Sequence, residues 1–569
     1  MKKIFKIIFL LILVLSCFSC SKNETKKDYS IPTYYHYEVD TFYDDVKTLN
    51  DFNDENKKEE FLDLYDKLYS EVLKVSDLST ICYIKYTEDV TDEYYKEEDI
   101  YIEDLINNMA NEFATACHNL TSSNMKDILR THVGDEIFNN YVDYYVKTEE
   151  IINLESEENK LTQEYDDLTA KMSDYYITYE GTNYSYGDLS NDPQGFYDAH
   201  GDLYYKVLEN AYKQFNTDSG EIYLKLLNIR DKLAKLYGYD NYALYCDNEI
   251  YGRDYTNEDL FYLKEYTKEF SDFLLYENIV CSNYEELDVS SDDLISTVLD
   301  NISTFSSILK DSSNVFIDNH LYSIDSNDTR YNGSYDTSFE CSDASFVFLN
   351  KSNTVNDYFT LAHEFGHFTN GINVNNYDPI CISGSYDVFE IHSTALEMLF
   401  GLKSQNIFKN NVEEMNMMNL ADKFTNLVDG CLYDDFQRTI YENPDMTLEE
   451  INSLFEDLLK DYGYYTLAND YGAYDYDVIK YMWSQVPHNF NSPMYYVSYA
   501  TSAFTAIEIW QIGNENFNKA YKYYENILLS DPYRNGYLTI TTDAGLGNIT
   551  VGDAVYNTYY EVYDYFMNS

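Results

Sequence analysis

Positive charge is what this chain has least of. Lys and Arg number 39 against 100 Asp and Glu, for a formal net charge of −61. Phosphate backbones are gripped by Lys and Arg, so this balance argues against nucleic acid as a partner. It fits a highly soluble surface that attracts cations and basic peptides. Beyond Cys20 there are seven widely spaced cysteines, with no C-x-x-C pair and an odd total. They read as buried free thiols more than as a disulfide framework. No P-loop occurs, and Gly545-Leu546-Gly547 lacks the rest of a dinucleotide fingerprint. Asp325-Ser326-Asn327-Asp328-Thr329-Arg330 begins like a calcium loop, but Arg330 stands where Gly is needed. No repeat of 20–50 residues is found. What the chain does have is 44% hydrophobic and 17% aromatic residues, which exclude wholesale disorder. Its 569 residues suffice for a large core and two to four domains. With 64 tyrosines, a single Tyr carries little information.

A long apolar run is also missing. Ile4 to Leu15 is the strongest, flanked by Lys2, Lys3 and Lys6, and it is too short for a membrane span. It reads as an export signal. Val14-Leu15-Ser16-Cys17 and Cys17-Phe18-Ser19-Cys20 both resemble a bacterial lipobox, whose cysteine becomes the lipidated first residue. Cys20 is preferred, with Cys17 as the alternative, because a polar tether starts at Ser21. The expectation is a signal peptide over 1–20, a tether over 21–39, and an extracytoplasmic protein lipid-anchored to a bacterial cell membrane.

From Asp40 to about Gln194 the pattern is acidic, poor in Gly and Pro, and mostly helical. Ile151, Leu154, Leu161, Tyr165, Leu168 and Met172 recur at helical spacings and predict a helix within 148–174. Ile177 to Tyr186 alternates about Gly181, a small β-hairpin. Residues 219–275 and 411–470 return to helix. The sheet candidate lies between Phe316 and Asn350, with strands at 332–337 and 345–349.

The chemistry gathers in residues 354–400, two helices joined by a loop. The first carries Thr360-Leu361-Ala362-His363-Glu364-Phe365-Gly366-His367. His363 and His367, four apart, share a helix face and can hold one ion. Glu364 lies about 100° round the helix, where it can meet a water without being a ligand. Two imidazoles plus a general base make the zincin pattern. The second helix carries Glu390-Ile391-His392-Ser393-Thr394-Ala395-Leu396-Glu397, and Glu390 follows His367 by 23 residues. Glu390, Ser393 and Glu397 share a face. His392, about 200° from Glu390, points away from the metal. Glu390 has a competing role as the last residue of an Asp387-x-x-Glu390 capping box.

H-E-F-G-H followed by E-x-x-S-x-x-x-E resembles the thimet oligopeptidase and oligoendopeptidase F family of zinc peptidases, particularly the oligoendopeptidase F branch. The resemblance covers residues 219–569 well and includes Arg230 to Ala243, a structural stretch. It implies a mostly α, elongated multi-helix zincin with a deep central channel and a small sheet beside the H-E-x-x-H helix. It implies one Zn²⁺ on His363, His367 and Glu390, with Glu364 as base and Glu397 orienting a histidine. A short sheet edge before the zinc helix would align the substrate backbone. His488, Tyr496 and Tyr499 match the family's substrate-side His and Tyr cluster; on a helix Tyr496 and Tyr499, three apart, would share a face and Tyr495 would point elsewhere. Many relatives carry a His where this chain has Asn370, a departure that leaves the metal ligands intact. The expected domains are a helical one with a β-hairpin over 40–210 and a catalytic one over 211–569. The expected activity is hydrolysis of internal bonds in short unstructured peptides. The alternatives are a peptidyl dipeptidase of the angiotensin-converting type and a non-catalytic peptide-binding lipoprotein.

Overall fold

The computed structural model describes residues 27–281, 289–374, 384–468 and 478–568. Cys17, Cys20 and Cys381 lie outside the described residues. Helices dominate, and those that position the site are numbered here in chain order. Helices α1 (Lys58–Glu88) and α2 (Glu93–Leu120) pack as neighbours across a short turn. Phe61, Tyr65, Leu68, Val72 and Val75 form the buried stripe of α1, recurring every three or four residues. Asp92 starts α2 by accepting hydrogen bonds from the Tyr94 and Tyr95 amides. The predicted helix within 148–174 is α3 (Glu149–Thr169), capped by Thr148. It packs on α4 (Leu203–Leu236).

The expected hairpin is β1 (Tyr176–Tyr179) paired with β2 (Thr182–Ser185). Glu180 and Gly181 both have positive φ, 52° and 84°, the backbone of a two-residue type I′ turn. A small satellite core of Leu189, Phe196, Leu203 and Val207 lies beside it. The main core runs without a break from Phe42 to Phe566. Two boundaries differ from expectation. Helix α4 runs uninterrupted through 210–211, because its apolar stripe (Val207, Ala211, Phe215, Ile222) continues across that point. Residues 29–39 are not a free tether: Tyr29, Ile31, Tyr34, Tyr37 and Val39 pack on the core, and Tyr34 and Tyr37 donate to Glu98 and Glu71.

After α5 (Phe261–Cys281) comes a three-stranded sheet in the order β3-β5-β4. The strands are β3 (Tyr322–Asp325), β4 (Ser334–Ser338) and β5 (Ser345–Asn350). The last two are the expected strands. β3, which pairs parallel to β5, has no turn-flanked alternation to mark it. Arg330, the residue that spoils the calcium loop, is buried over the Phe348 ring and donates to Ser323 O. Then follow α6 (Asn356–Asn373), α7 (Tyr386–Lys403), α8 (Val412–Glu442), α9 (Val497–Leu528) and α10 (Gly552–Asn568). Helix α7 is sandwiched among α6, α8 and α9. The six described cysteines are free, and Cys82, Cys117, Cys246 and Cys431 are buried. Among the described residues no helix is long and apolar enough to cross a membrane.

Candidate active site

Helix α6 is anchored at its start by Asp357, whose carboxylate accepts from the Ser352 and Asn353 amides (2.8 and 2.9 Å). That bond fixes the helix to the end of β5. One turn on, His363 and His367 bring their rings to 5.0 Å. Gly366, between them, sets the distance to α7: a Cβ there would lie 2.3 Å from His392 O. With glycine the two helices touch backbone to backbone, and Glu390 on α7 comes opposite the histidine pair. Glu390 Oε2 lies 3.6 Å from His363 Nε2 and 3.9 Å from His367 Nε2. One ligand atom from each of the three residues lies within 4.8 Å of the others.

The capping-box role for Glu390 is not what the structure holds. Ser385 precedes α7 with no side-chain cap. Asp387 is fully buried and accepts from Tyr255 and Thr501 (2.8 and 2.5 Å). Glu390 turns to the histidines, and its other oxygen accepts from the Tyr495 hydroxyl at 2.6 Å. His392 points the other way, its Nε2 3.2 Å from Ile527 O.

Glu397 lies two turns beyond Glu390. Its Oε1 is 2.6 Å from His363 Nδ1, so that nitrogen donates and Nε2 is the one that faces Glu390. Its Oε2 accepts from Lys423 Nζ of α8 at 2.9 Å. Burial alone would discharge His363, yet the bond to Glu397 and the surrounding carboxylates carry its pKa up to about 9. Burial pushes His367 down to about 4, a neutral ring with a free lone pair. Glu364 is buried beside them. Desolvation raises its pKa to about 7 against the pull of His363 and of the Ser334 hydroxyl. Two imidazoles and one carboxylate converging on one point, with one imidazole oriented from behind, is a donor set that fits a divalent metal.

A cavity of about 1070 Å³ opens in front of this cluster. His363, Glu364, His367 and Glu390 form its floor, β4 one wall, and Tyr386, Phe389, Tyr495, Tyr499 and Tyr533 line it elsewhere. Among the described residues β4 is an edge strand, paired with β5 alone. Gly333 O accepts from Asn350 N, and Phe339 N donates to Ala344 O. In that antiparallel pattern Ser334, Asp336 and Ser338 turn their backbone groups to the open edge. Asp336 is bonded by the Ser345 hydroxyl (2.9 and 2.8 Å), and burial raises its pKa well above the carboxylate range.

The substrate-side cluster is arranged differently from the expectation. Tyr499 lines the cavity; Tyr496 and His488 do not. Tyr496 packs on Tyr433 at 4.7 Å, and His488 sits behind, its ring 5.5 Å from Tyr495 and 6.1 Å from Tyr499. Burial depresses the His488 pKa, and its Nδ1 has no partner among the described residues. Tyr495, expected to face elsewhere, touches Glu390. The helical-wheel argument fails because α9 begins only at Val497, after Met494 with φ 66°. Pro493 was the signal that this stretch is not yet helix. The turn is held by Arg253, which donates to Met494 O at 2.7 Å, and by Gln437, which accepts from Met494 N. Asn370, the departure in the motif, donates to Leu528 O and ties α6 to α9.

A mostly helical fold with a small edge-stranded sheet, an H-E-x-x-H helix and a glutamate from the next helix defines a helical metallopeptidase-like class. Sequence comparison agrees. The pattern described as Peptidase M3 N-terminal domain matches residues 29–148, and Peptidase family M3 matches residues 298–530. An oligoendopeptidase F homolog from Lactococcus lactis subsp. lactis (strain IL1403) is 27% identical over 205 residues, 34% of this chain and 31% of that one. Oligopeptidase PepF from Bacillus subtilis (strain 168) is 26% identical over 212 residues, 36% and 30% of the two chains. The chain thus aligns with under a third of the length of these curated relatives. By structure, PZ peptidase A with an inhibitor superposes with a TM-score of 0.72 at 20% identity, covering 94% of this chain and 98% of that one. Oligoendopeptidase-F from Enterococcus faecium superposes with a TM-score of 0.56 at 14% identity, covering 93% and 98%. The chain belongs to peptidase family M3, in its oligoendopeptidase F branch.

Proposed function

We propose that this protein is a zinc-dependent oligoendopeptidase that cuts internal bonds of short, unstructured peptides. The observation that carries the reading is the convergence of His363, His367 and Glu390 beside Glu364, under a cavity walled by an open strand edge. His363 and His367, through ring nitrogens, and Glu390, through Oε2, would hold the ion. When bound, zinc supplies Lewis acidity to the scissile carbonyl and lowers the pKa of water.

The remaining work belongs to side chains of this chain. The open edge of β4 aligns an extended peptide by backbone hydrogen bonds. Glu364 takes a proton from the attacking water and delivers it to the leaving amine. Burial, which raises the pKa of its carboxyl, favours uptake of that proton. Tyr499 donates a hydrogen bond to the oxygen on which negative charge develops. Tyr495 keeps one oxygen of Glu390 occupied, so the other stays aimed at the histidines. A cavity of about 1070 Å³ walled by this strand edge suits extended chain better than folded protein. Membership of the family and the likeness to inhibitor-bound PZ peptidase A support the reading. The apolar run and lipobox-like residues before Cys20 support a location outside the cytoplasm, on a lipid at Cys20 with Cys17 as the alternative.

The test is zinc content together with cleavage of a quenched fluorescent peptide, with and without chelator. Wild-type protein should carry about one zinc and cleave internally. Glu364→Gln should keep the zinc and lose turnover. An active Glu364→Gln, or chelator-insensitive cleavage, would sink the mechanism.

A further inference from the structure

Lys423 sits where a lysine is costly. It lies mid-way along α8 among Leu420, Ala421, Phe424 and Leu427, all buried, and is itself 5% exposed. An ammonium is buried at such a position only when partners replace its water. One partner is Asp422, at 3.1 Å, whose side chain is 45% exposed and reaches toward solvent. The other is Glu397 Oε2, at 2.9 Å, in the interior. Because Glu397 Oε1 is 2.6 Å from His363 Nδ1, the Glu397 carboxylate bridges Lys423 and the imidazole. Among the described residues, Lys423 is the one cationic side chain paired with a group that touches the His363, His367 and Glu390 cluster. It comes from α8, which supplies none of the three ligand candidates.

The geometry has a consequence for His363. A glutamate carboxylate rotates broadly about its last torsion. With a partner on each oxygen, that rotation is blocked. The His363 ring is then held in one orientation, with Nδ1 donating and Nε2 directed at Glu390 and His367. A metal-ligating histidine depends on such a partner for its aim. We propose that Lys423 is a positioning residue for the metal site: it locks Glu397, and through Glu397 it orients His363. This inference rests on the zinc reading above. It adds a third helix to the site, so that α6 and α7 bring the ligands while α8 fixes the aim of one of them.

The test compares zinc dissociation constants, by competition with a chromophoric chelator, for the full chain and for Lys423→Met, Lys423→Arg, Glu397→Gln and the Glu397→Gln/Lys423→Met pair. Lys423→Met should weaken zinc by about 10–100-fold, the range for loss of an orienting partner. Lys423→Arg, which restores a cation, should recover most of that loss. On the Glu397→Gln background, Lys423→Met should add less than about twofold, because its route to the metal is already cut. A purely structural staple between α7 and α8 would lower the melting temperature without this pattern. The proposal is overturned if Lys423→Met holds zinc as tightly as wild type, or costs the same on both backgrounds. Should Lys423→Met fail to fold, Lys423→Gln, of similar length, takes its place in the same comparison. Absence of stoichiometric zinc from wild-type protein would overturn the metal reading itself, a result separate from either of these.

Discussion

Two buried charge clusters lie side by side in this protein, and they are built to opposite rules. The first joins α5, α7, α8 and the turn before α5. Asp247 accepts from Arg253 (2.7 Å) and Arg438 (2.6 Å), Asp434 from Arg438 (2.9 Å) and Lys264 (2.6 Å), and Asp435 from Lys264 (2.8 Å) and Lys268 (3.1 Å). Arg253 also faces Asp387 at 3.5 Å. Four carboxylates meet four cations in alternation. Against the cost of burial, Arg438 and Lys264 hold the Asp434 carboxyl well below the usual range. The second cluster, at the floor of the cavity, has Glu364, Glu390 and Glu397 against Lys423 alone. With the carboxylates ionised and both imidazoles neutral, as metal ligation requires, two negative charges are left over, the complement of one divalent cation. Balance marks the cluster that holds the fold together. Imbalance marks the one that waits for a ligand.

The sharpest way to break this comparison is to remove a ligand candidate. Glu390→Ala should abolish zinc binding and peptide turnover, while the metal-free protein melts no lower than metal-free wild type, since a repelling carboxylate has gone. Metal analysis and calorimetry check both halves; a normal zinc content would remove Glu390 from the ligand set. Next in size is a cut in the balanced cluster. Arg438→Met leaves Asp247 and Asp434 short of a partner and should cost about 3–5 kcal/mol in urea unfolding. Zinc per folded molecule should not change. An unfolding midpoint equal to wild type would show that the network contributes little.

Smaller effects separate the two tyrosines. Tyr499→Phe should lower kcat by roughly 10²–10³ with zinc affinity and KM unchanged, since its bond forms only in the transition state. Tyr495→Phe should instead weaken zinc, by about tenfold, by freeing Glu390. If the two effects were exchanged, the cavity geometry would be misread.

A last contrast is an acid paired with neither a cation nor a metal. Glu508 on α9 has a buried Oε2 without a partner among the described residues, and desolvation raises its pKa to about 8. Its folded pKa lies above the unfolded value, so the native state keeps a proton that the unfolded chain releases. Stability is therefore undiminished below about pH 4.5, falls as pH rises toward 8, and levels off above. Glu508→Gln should remove that slope and stabilise the protein at pH 9, with no gain at pH 4. Parallel pH profiles for the two proteins would refute the assignment.

Much of this was legible in the chain. The helical stripes of α1 and α3 and the turn at Gly181 follow from spacings of two, three and four residues, which local geometry alone enforces. The relation of His363 to His367, and of Glu390 to Glu397, is of the same kind: each pair is carried by one helix. Such patterns do not depend on what lies across the interface. Even Gly366 could be seen, although not the close approach to His392 that requires it.

What the sequence determined by itself, then, is the chemistry each helix brings: two imidazoles and a base on α6, two carboxylates on α7, and a charge balance unsuited to nucleic acid. The tertiary structure decided which groups meet. It chose Tyr495 over Tyr496, because a positive-φ residue held by Arg253, 241 positions away in sequence, delays the start of α9. It turned Glu390 to the histidines and away from a cap, because Asp387 is drawn to Tyr255 and Thr501. It set Lys423 behind Glu397, where an isolated lysine in an apolar stretch of α8 gave no hint of its partner. Each of these contacts joins residues from different elements. Helical pitch repeats every few residues and is written locally, whereas the meeting of two side chains from distant helices depends on the packing of everything between them.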